Sequence, residues 1–345
     1  MRTLKLGGTG LEVPALGLGC VGLSEFYGPT HRDEAFATLR TAAELGMAFL
    51  DTSDYYGVDS ANERLIGEFL AQGEGVRSRF AVATKFGPVR APGTGELVGV
   101  RSDPAYVRAA CDASLRRLGT DHIDLYYLHH PDFVTPVEET VGAMAELVAA
   151  GKVRHLGLSN VSAEELHAGH QVHPITAVQN EWSLFTREYE DSVVPLCAEL
   201  GIGFVAYSPF SRGFLTGRHT STEGLAEDDI RRGMPRFNAS NAQHNAALLA
   251  PVRRIAEARG ATLAQIALAW LLHRPEAHGI AVVPIPGTRS PARLRENAEA
   301  LHLTLTDDEL SALDPIAEQV KGERMPPAPD LDRGHDAIGD AAGSR

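Results

Sequence analysis

From residue 15 onward, short apolar runs alternate with amphipathic stretches. Runs such as Phe49-Leu50-Asp51 and Ile123-Asp124-Leu125-Tyr126-Tyr127-Leu128 are short and bounded by turn residues, which predicts buried strands. The pattern places strands at 15–19, 48–51, 80–84, 123–128, 154–158, 177–180, 203–207 and 280–285. Between them apolar positions recur three and four apart, predicting helices near 32–45, 60–71, 104–118, 137–150, 163–169, 190–200 and 243–273, with an eighth near 291–299. Segment 104–118 carries every signal. Asp103 can cap it, Pro104 suits its first turn, Val107, Ala110, Cys111, Ser114, Leu115 and Leu118 share a face, and Gly119 ends it. Eight β-then-α units predict an α/β fold, a parallel sheet closed into a (β/α)8 TIM barrel. Ahead of them, Thr3-Leu4-Lys5-Leu6 and Leu11-Glu12-Val13 flank Gly7-Gly8-Thr9-Gly10, a β-hairpin pattern.

The competing architecture is a doubly wound open sheet, which needs a Gly-rich turn leading directly into a helix. Gly17-Leu18-Gly19-Cys20-Val21-Gly22 has that glycine spacing, but the chain continues through Leu23–Pro29 before any helix begins. We read it as a flexible first barrel loop. Residues 208–241 form a long insertion suited to covering a ligand. The division expected is 1–318 as the barrel and 319–345 as a tail, either disordered or strapped over the barrel mouth.

A length of 345 residues suits one α/β barrel. The formal charge of −13, with no basic tract, argues against nucleic acid and anionic membranes as partners. Cys20, Cys111 and Cys197 are scattered without paired spacing, which excludes a full disulfide framework and a zinc ribbon. No metal site is expected. No apolar run reaches the roughly 18 residues that span a bilayer, and the N-terminus lacks a signal-peptide core. A cytoplasmic protein is the expectation; oligomeric state is not readable.

Four residues at or just past strand ends carry candidate chemistry: Asp51, Tyr56, Lys85 and His129. In a parallel barrel those ends converge on one face. A phenol is a sluggish acid at neutral pH, and a neighbouring ammonium lowers its pKa. A carboxylate beside the ammonium holds it in place, and an imidazole can hydrogen-bond a substrate oxygen. Together they suit a carbonyl oxygen that gains negative charge while a hydride arrives at its carbon.

The chain resembles the aldo-keto reductase superfamily over roughly residues 3 to 318. The matching segments are Phe49-Leu50-Asp51-Thr52 with Tyr55-Tyr56-Gly57, Ala83-Thr84-Lys85-Phe86-Gly87, and Ile123 through His129. Further on come Gly151-Lys152-Val153-Arg154, Gly157-Leu158-Ser159-Asn160, Gln179-Asn180-Glu181, Tyr207-Ser208-Pro209, Pro286-Gly287-Thr288 and Arg293-Leu294-Arg295-Glu296-Asn297. The resemblance implies an NADPH/NADP+-dependent reductase of aldehydes or ketones. In it Tyr56 is the general acid, Lys85 depresses the Tyr56 pKa, Asp51 partners Lys85, and His129 orients the substrate. It implies that Ser159, Asn160 and Gln179 meet the nicotinamide carboxamide and that Tyr207 stacks on the ring. Ser208, Pro209, Phe210 and Gly213 would supply further cofactor contacts. Gly287, Arg289, Ser290, Arg293, Glu296 and Asn297 would take the adenosine end, the arginines favouring NADPH over NADH. Substrate-pocket walls are expected from Val21, Phe26, Tyr27, Phe86, His130 and Trp182.

His130 departs from the familiar pattern, in which arginine or tryptophan often follows the strand-end histidine, so substrate preference is open. The alternative function is a cofactor-sensing subunit resembling the β subunits of potassium channels. A phosphate-handling barrel isomerase is a third reading, but it leaves Tyr56 and Lys85 without a joint purpose.

Overall fold

The computed structural model describes residues 1–326. An antiparallel hairpin, β1 (Thr3–Lys5) and β2 (Glu12–Pro14), opens the chain. There follow β3 (Leu18–Gly19), β4 (Phe49–Asp51), β5 (Ala81–Phe86), β6 (Pro88–Arg90), β7 (Leu97–Val100) and β8 (Ile123–Leu128). The last strands are β9 (Val153–Ser159), β10 (Ala177–Glu181), β11 (Gly203–Tyr207) and β12 (Val282–Pro284). Eight of them form one parallel sheet in the order β3-β4-β5-β8-β9-β10-β11-β12.

The first and last of those strands meet. Gly19 bridges Gly287 in parallel, and Gly17 N–H donates to Pro284 O at 3.0 Å. A Cβ on Gly19 would lie 2.7 Å from Ile285 O, so only glycine allows this approach. The glycines read as a flexible loop therefore serve the barrel seam: Leu18 and Gly19 are strand, and Val21–Leu23 is a short 3-10 turn.

Strand side chains alternate between two cores. Phe49, Ala83, Leu125, Tyr127, Ala177, Val205, Val283 and Ile285 fill the barrel interior. Leu50, Val82, Phe86, Tyr126 and Phe204 face the helices. Leu6, Leu11 and Val13 of the hairpin join the interior core, plugging the end where the strands begin. Gly8 N–H donates to Gly201 O at 2.8 Å, just ahead of β11, which locks that plug.

The helix over Pro104–Leu118 forms with the expected bounds, Asp103 accepting from Tyr106 N–H and Gly119 ending it at φ 63°. The long segment at 243–273 is instead three helices, Ala239–Ala247, Ala250–Arg259 and Leu263–Leu272. Gly260 terminates the second in a left-handed conformation, and Thr262 with Gln265 builds a capping box for the third. The β6–β7 hairpin and the helix Asp307–Leu313 were not anticipated. Among the described residues no helix is long and apolar enough to cross a membrane.

Candidate active site

Three parallel strands deliver the charged centre. Asp51 ends β4, Lys85 lies near the end of β5, and His129 directly follows β8. Lys85 is fully buried, and its Nζ donates to Asp51 Oδ1 at 2.5 Å and to Thr52 O at 2.8 Å. The other carboxylate oxygen of Asp51 accepts from Gln179 Nε2 at 2.8 Å. A buried ion pair needs its remaining donors and acceptors met; here both carboxylate oxygens and two of the three ammonium hydrogens have partners.

The loop after Asp51 is held from several sides, which fixes Tyr56. Asp54 N–H donates to Lys85 O at 3.1 Å, Gly57 N–H to Glu25 Oε2 at 2.8 Å, and Asn62 N–H to Tyr56 O at 3.0 Å. Lys85 Nζ sits 5.2 Å from the Tyr56 ring centroid, and the His129 ring stands edge-on to Tyr56 at 5.7 Å. His129 Nδ1 is 3.1 Å from Ser53 Oγ, so that side of the ring is engaged below the mouth. His130 stacks on His129 at 5.4 Å. The structure thus brings the four expected residues together and puts His129, not His130, beside the phenol.

Burial, and next the negative charge of Asp51, push the Tyr56 phenol well above its ordinary pKa. Tyr56 is therefore a protonated phenol. Burial, the Lys85 charge and His130 hold His129 well below the ordinary imidazole range, so its ring is neutral at neutral pH. The mouth offers an O–H and a neutral imidazole over a net-neutral ion pair.

The expected nicotinamide residues cluster beside this centre. Ser159 and Gln179 are buried, and Asn160 adopts φ 54°. Asn160 Nδ2 shares its hydrogens among Ser159 Oγ, His129 O and His130 Nε2 at 3.0, 3.1 and 3.2 Å. Asn160 Oδ1 accepts from Tyr207 Oη at 2.9 Å. After β11, Ser208, Ser211 and Arg212 take left-handed conformations and Gly213 reaches φ 92°. This winds Ser208, Pro209 and Phe210 into consecutive turns in which Ser211 N–H donates to Ser208 O at 2.8 Å.

At the opposite end of the candidate cofactor groove the expectations divide. The Arg293 guanidinium makes no hydrogen bond or ion pair among the described residues. Partial desolvation, then the like charge of Arg218, lowers its pKa, and Glu296 only partly offsets this. An unpaired cation beside another cation fits an anionic group such as a phosphate. Ser290 caps the Pro291–Glu299 helix, Glu296 lies 3.7 Å from Arg218, and Asn297 is buried on that helix. Arg289 is different: its fork donates to the carbonyls of Gly28, Pro29 and Tyr27 at 3.1, 2.6 and 2.9 Å. It ties down the first loop, unlike Arg293. Gly287 bridges Gly19 at the barrel seam and is itself exposed.

The pocket walls also divide. Val21, Phe26, Tyr27 and His130 are partly exposed around the mouth, Phe26 stacking on Tyr55 at 6.1 Å. Phe86 and Trp182 do not line it. Phe86 is fully buried in the helix-facing core against Tyr126, because it follows the inward Lys85 by one residue. Trp182 is buried on Phe204, with Nε1 donating to Glu190 at 2.8 Å.

Several mouth residues were missed by sequence reasoning. Arg90 forks onto Glu25 at 2.6 and 2.9 Å and covers the Tyr55 ring at 4.0 Å. Around buried Glu181, Arg236, Arg324 and Arg212 approach to 3.6, 3.8 and 3.9 Å. The segment Gln179-Asn180-Glu181 and the loop at Arg212 had been singled out, but nothing local linked them to Arg324. The described part of the tail, residues 321–326, lies against this group; the expectation for 327–345 falls outside the described residues.

The aldo/keto reductase family profile matches residues 15–318. This chain belongs to the aldo/keto reductase family. It is similar to the thermostable aldo-keto reductase Tm1743, solved with the inhibitor epalrestat, at 30% identity and a TM-score of 0.72, covering 92% of this chain and all of that one. It is also similar to the glycerol dehydrogenase AKR11B4 from Gluconobacter oxydans, at 27% identity and a TM-score of 0.79, covering 95% and 98% of the two chains. Oxidoreduction at a carbonyl or alcohol carbon, with a nicotinamide cofactor, is the chemistry of this family.

Proposed function

We propose that the protein is an NADPH-dependent reductase of aldehydes or ketones, with Tyr56 as the proton donor. The observation that carries this reading is a protonated phenol and a neutral imidazole set over the buried Asp51–Lys85 pair at the barrel mouth. The cofactor, when bound, supplies the hydride that reaches the carbonyl carbon. Tyr56 would give its proton to the carbonyl oxygen as negative charge develops there, closing the product hydroxyl. His129 would hold that oxygen by a hydrogen bond without competing as an acid. Lys85 beneath the phenol would stabilise the phenolate left behind, while Asp51 and Gln179 keep its side chain in place.

Ser159, Asn160, Gln179 and Tyr207 would hold the nicotinamide, and Arg293 with Arg218 the 2′-phosphate. The Arg293 guanidinium, without a hydrogen-bond or ion-pair partner among the described residues, supports the preference for NADPH, since a phosphate dianion rewards its fork with charge-assisted bonds. The test is oxidation of NADPH, followed by absorbance, against a panel of aldehydes, ketones and keto sugars. Tyr56→Phe should keep NADPH affinity and lose about 100-fold or more in kcat, the scale of general acid catalysis. Wild-type turnover in that variant would remove Tyr56 from the role. Tight NADPH binding without turnover of any substrate would favour a cofactor-sensing subunit instead.

A further inference from the structure

Segment 321–326 turns inward over the barrel mouth and is anchored along its length. Lys321 N–H donates to Asn245 Oδ1, and Asn245 Nδ2 to Lys321 O, each at 2.9 Å. Arg236 Nε donates to Gly322 O at 3.2 Å. Gly322 sits at φ 87°, where a Cβ would lie 2.9 Å from the Pro235 carbonyl, so the turn requires glycine. The result is an arginine inserted from the tail. The Arg324 side chain is 10% exposed, with Nε 3.0 Å from Glu188 Oε1 and Nη1 donating to Tyr207 Oη at 2.9 Å.

That last bond has a directional consequence. A guanidinium only donates, so the Tyr207 hydroxyl accepts from Arg324 and must send its own proton elsewhere. It goes to Asn160 Oδ1 at 2.9 Å. With its oxygen taken, Asn160 presents its amide hydrogens toward Ser159 Oγ and His129 O. One donor in the tail thereby sets the polarity of a chain ending among the residues expected to meet the carboxamide.

We propose that Arg324 is a positioning residue for the nicotinamide end of the cofactor, acting through Tyr207 and Asn160. The inference rests on the cofactor reading above. It assigns to the tail a contribution to cofactor affinity that is confined to one half of the molecule bound.

The test compares two probes by equilibrium titration on the full chain: NADP+, and adenosine 2′,5′-bisphosphate, which lacks the nicotinamide. Arg324→Met should weaken NADP+ about tenfold, the scale of a charged hydrogen bond, and leave the bisphosphate unchanged. Arg324→Lys, still a pure donor, should recover most of the loss. In a Tyr207→Phe background, which keeps the ring but removes the hydroxyl, Arg324→Met should have little further effect. Equal loss for both probes would show a general structural role and overturn the proposal, as would unchanged NADP+ affinity in Arg324→Met. Additive effects with Tyr207→Phe would overturn the route through the hydroxyl. If the wild-type chain binds the bisphosphate and NADP+ equally, or binds neither, the nicotinamide-site reading itself falls and this proposal with it.

Discussion

The two ends of the candidate cofactor groove are built on opposite terms. At the tetrad end the charges are buried and answered by the protein: Lys85 by Asp51 and Thr52, and Asp51 also by Gln179. At the adenosine end Arg293 lies in the open, without a partner among the described residues and close to Arg218. The first region is assembled before anything binds. The second holds a surplus of one sign that a ligand would relieve. Catalytic groups gain from an arrangement needing no rearrangement at reaction, whereas an affinity contact gains most from a charge not already spent on the protein.

This contrast implies that damage at the tetrad end affects folding as well as chemistry. Lys85→Met leaves the Asp51 carboxylate buried without its cation, and removing one partner of a buried pair costs about 3–5 kcal/mol. Urea unfolding should show that loss, with reductase activity abolished. Adding Asp51→Asn should return part of the stability and none of the activity. A stable, active Lys85→Met protein would contradict the buried-pair description.

At the adenosine end the converse is expected. Arg293→Ala should leave unfolding within about 0.5 kcal/mol of wild type, as exposed substitutions do. It should raise the Kd for NADPH roughly 10–100-fold through loss of charge-assisted bonds, with little change for NADH. An equal effect on both cofactors would take the 2′-phosphate away from this residue.

Acid provides the smallest and most graded probe. His129 has a folded pKa held below its unfolded value, so between the two the unfolded chain binds more protons. Its contribution to stability is complete above about pH 6.5 and is lost as pH falls from there toward the folded pKa. His155, His170, His219 and His278 are shifted the same way by burial and add to the loss. Melting temperatures taken between about pH 5 and pH 7.5 should fall with acid, and less steeply in His129→Gln. The same slope in both would mean that His129 is not buried neutral. The Tyr56 phenol, raised by burial and Asp51, should give reduction no alkaline limb near neutrality.

The order of strands and helices was legible because each local pattern agreed with the global one. Asp103, Pro104 and Gly119 bound a helix where the periodicity also ran. Asp51, Tyr56 and Lys85 were legible because parallel strands must present their carboxyl ends on one face, whereas the choice of His129 over its neighbour His130 came from the family resemblance. Phe86 and Trp182 were misplaced because proximity in sequence to a site residue says nothing about which face a side chain takes. Phe86 follows Lys85 by one position and so turns to the helices. Arg289 and Arg293, four residues apart on one loop and helix, look alike in sequence, but only Arg289 also holds the first loop's carbonyls.

Strand count, the hairpin itself and the strand-end positions of Asp51, Tyr56 and Lys85 thus follow from local periodicity and residue chemistry, while the choice of His129 over His130 rests on the family resemblance. How each charge is matched does not. Burial, and next the Asp51 charge, hold Tyr56 as a protonated phenol, and that depends on distances between separate strands. Gly17 and Gly19, ambiguous as a motif, have meaning only where the first strand meets the last. Arg324 reaches Tyr207 across a separation of 117 residues, a contact with no local signal. Short-range patterns encode which elements form. Electrostatic states belong to the packed molecule, because burial and partner distance set them together.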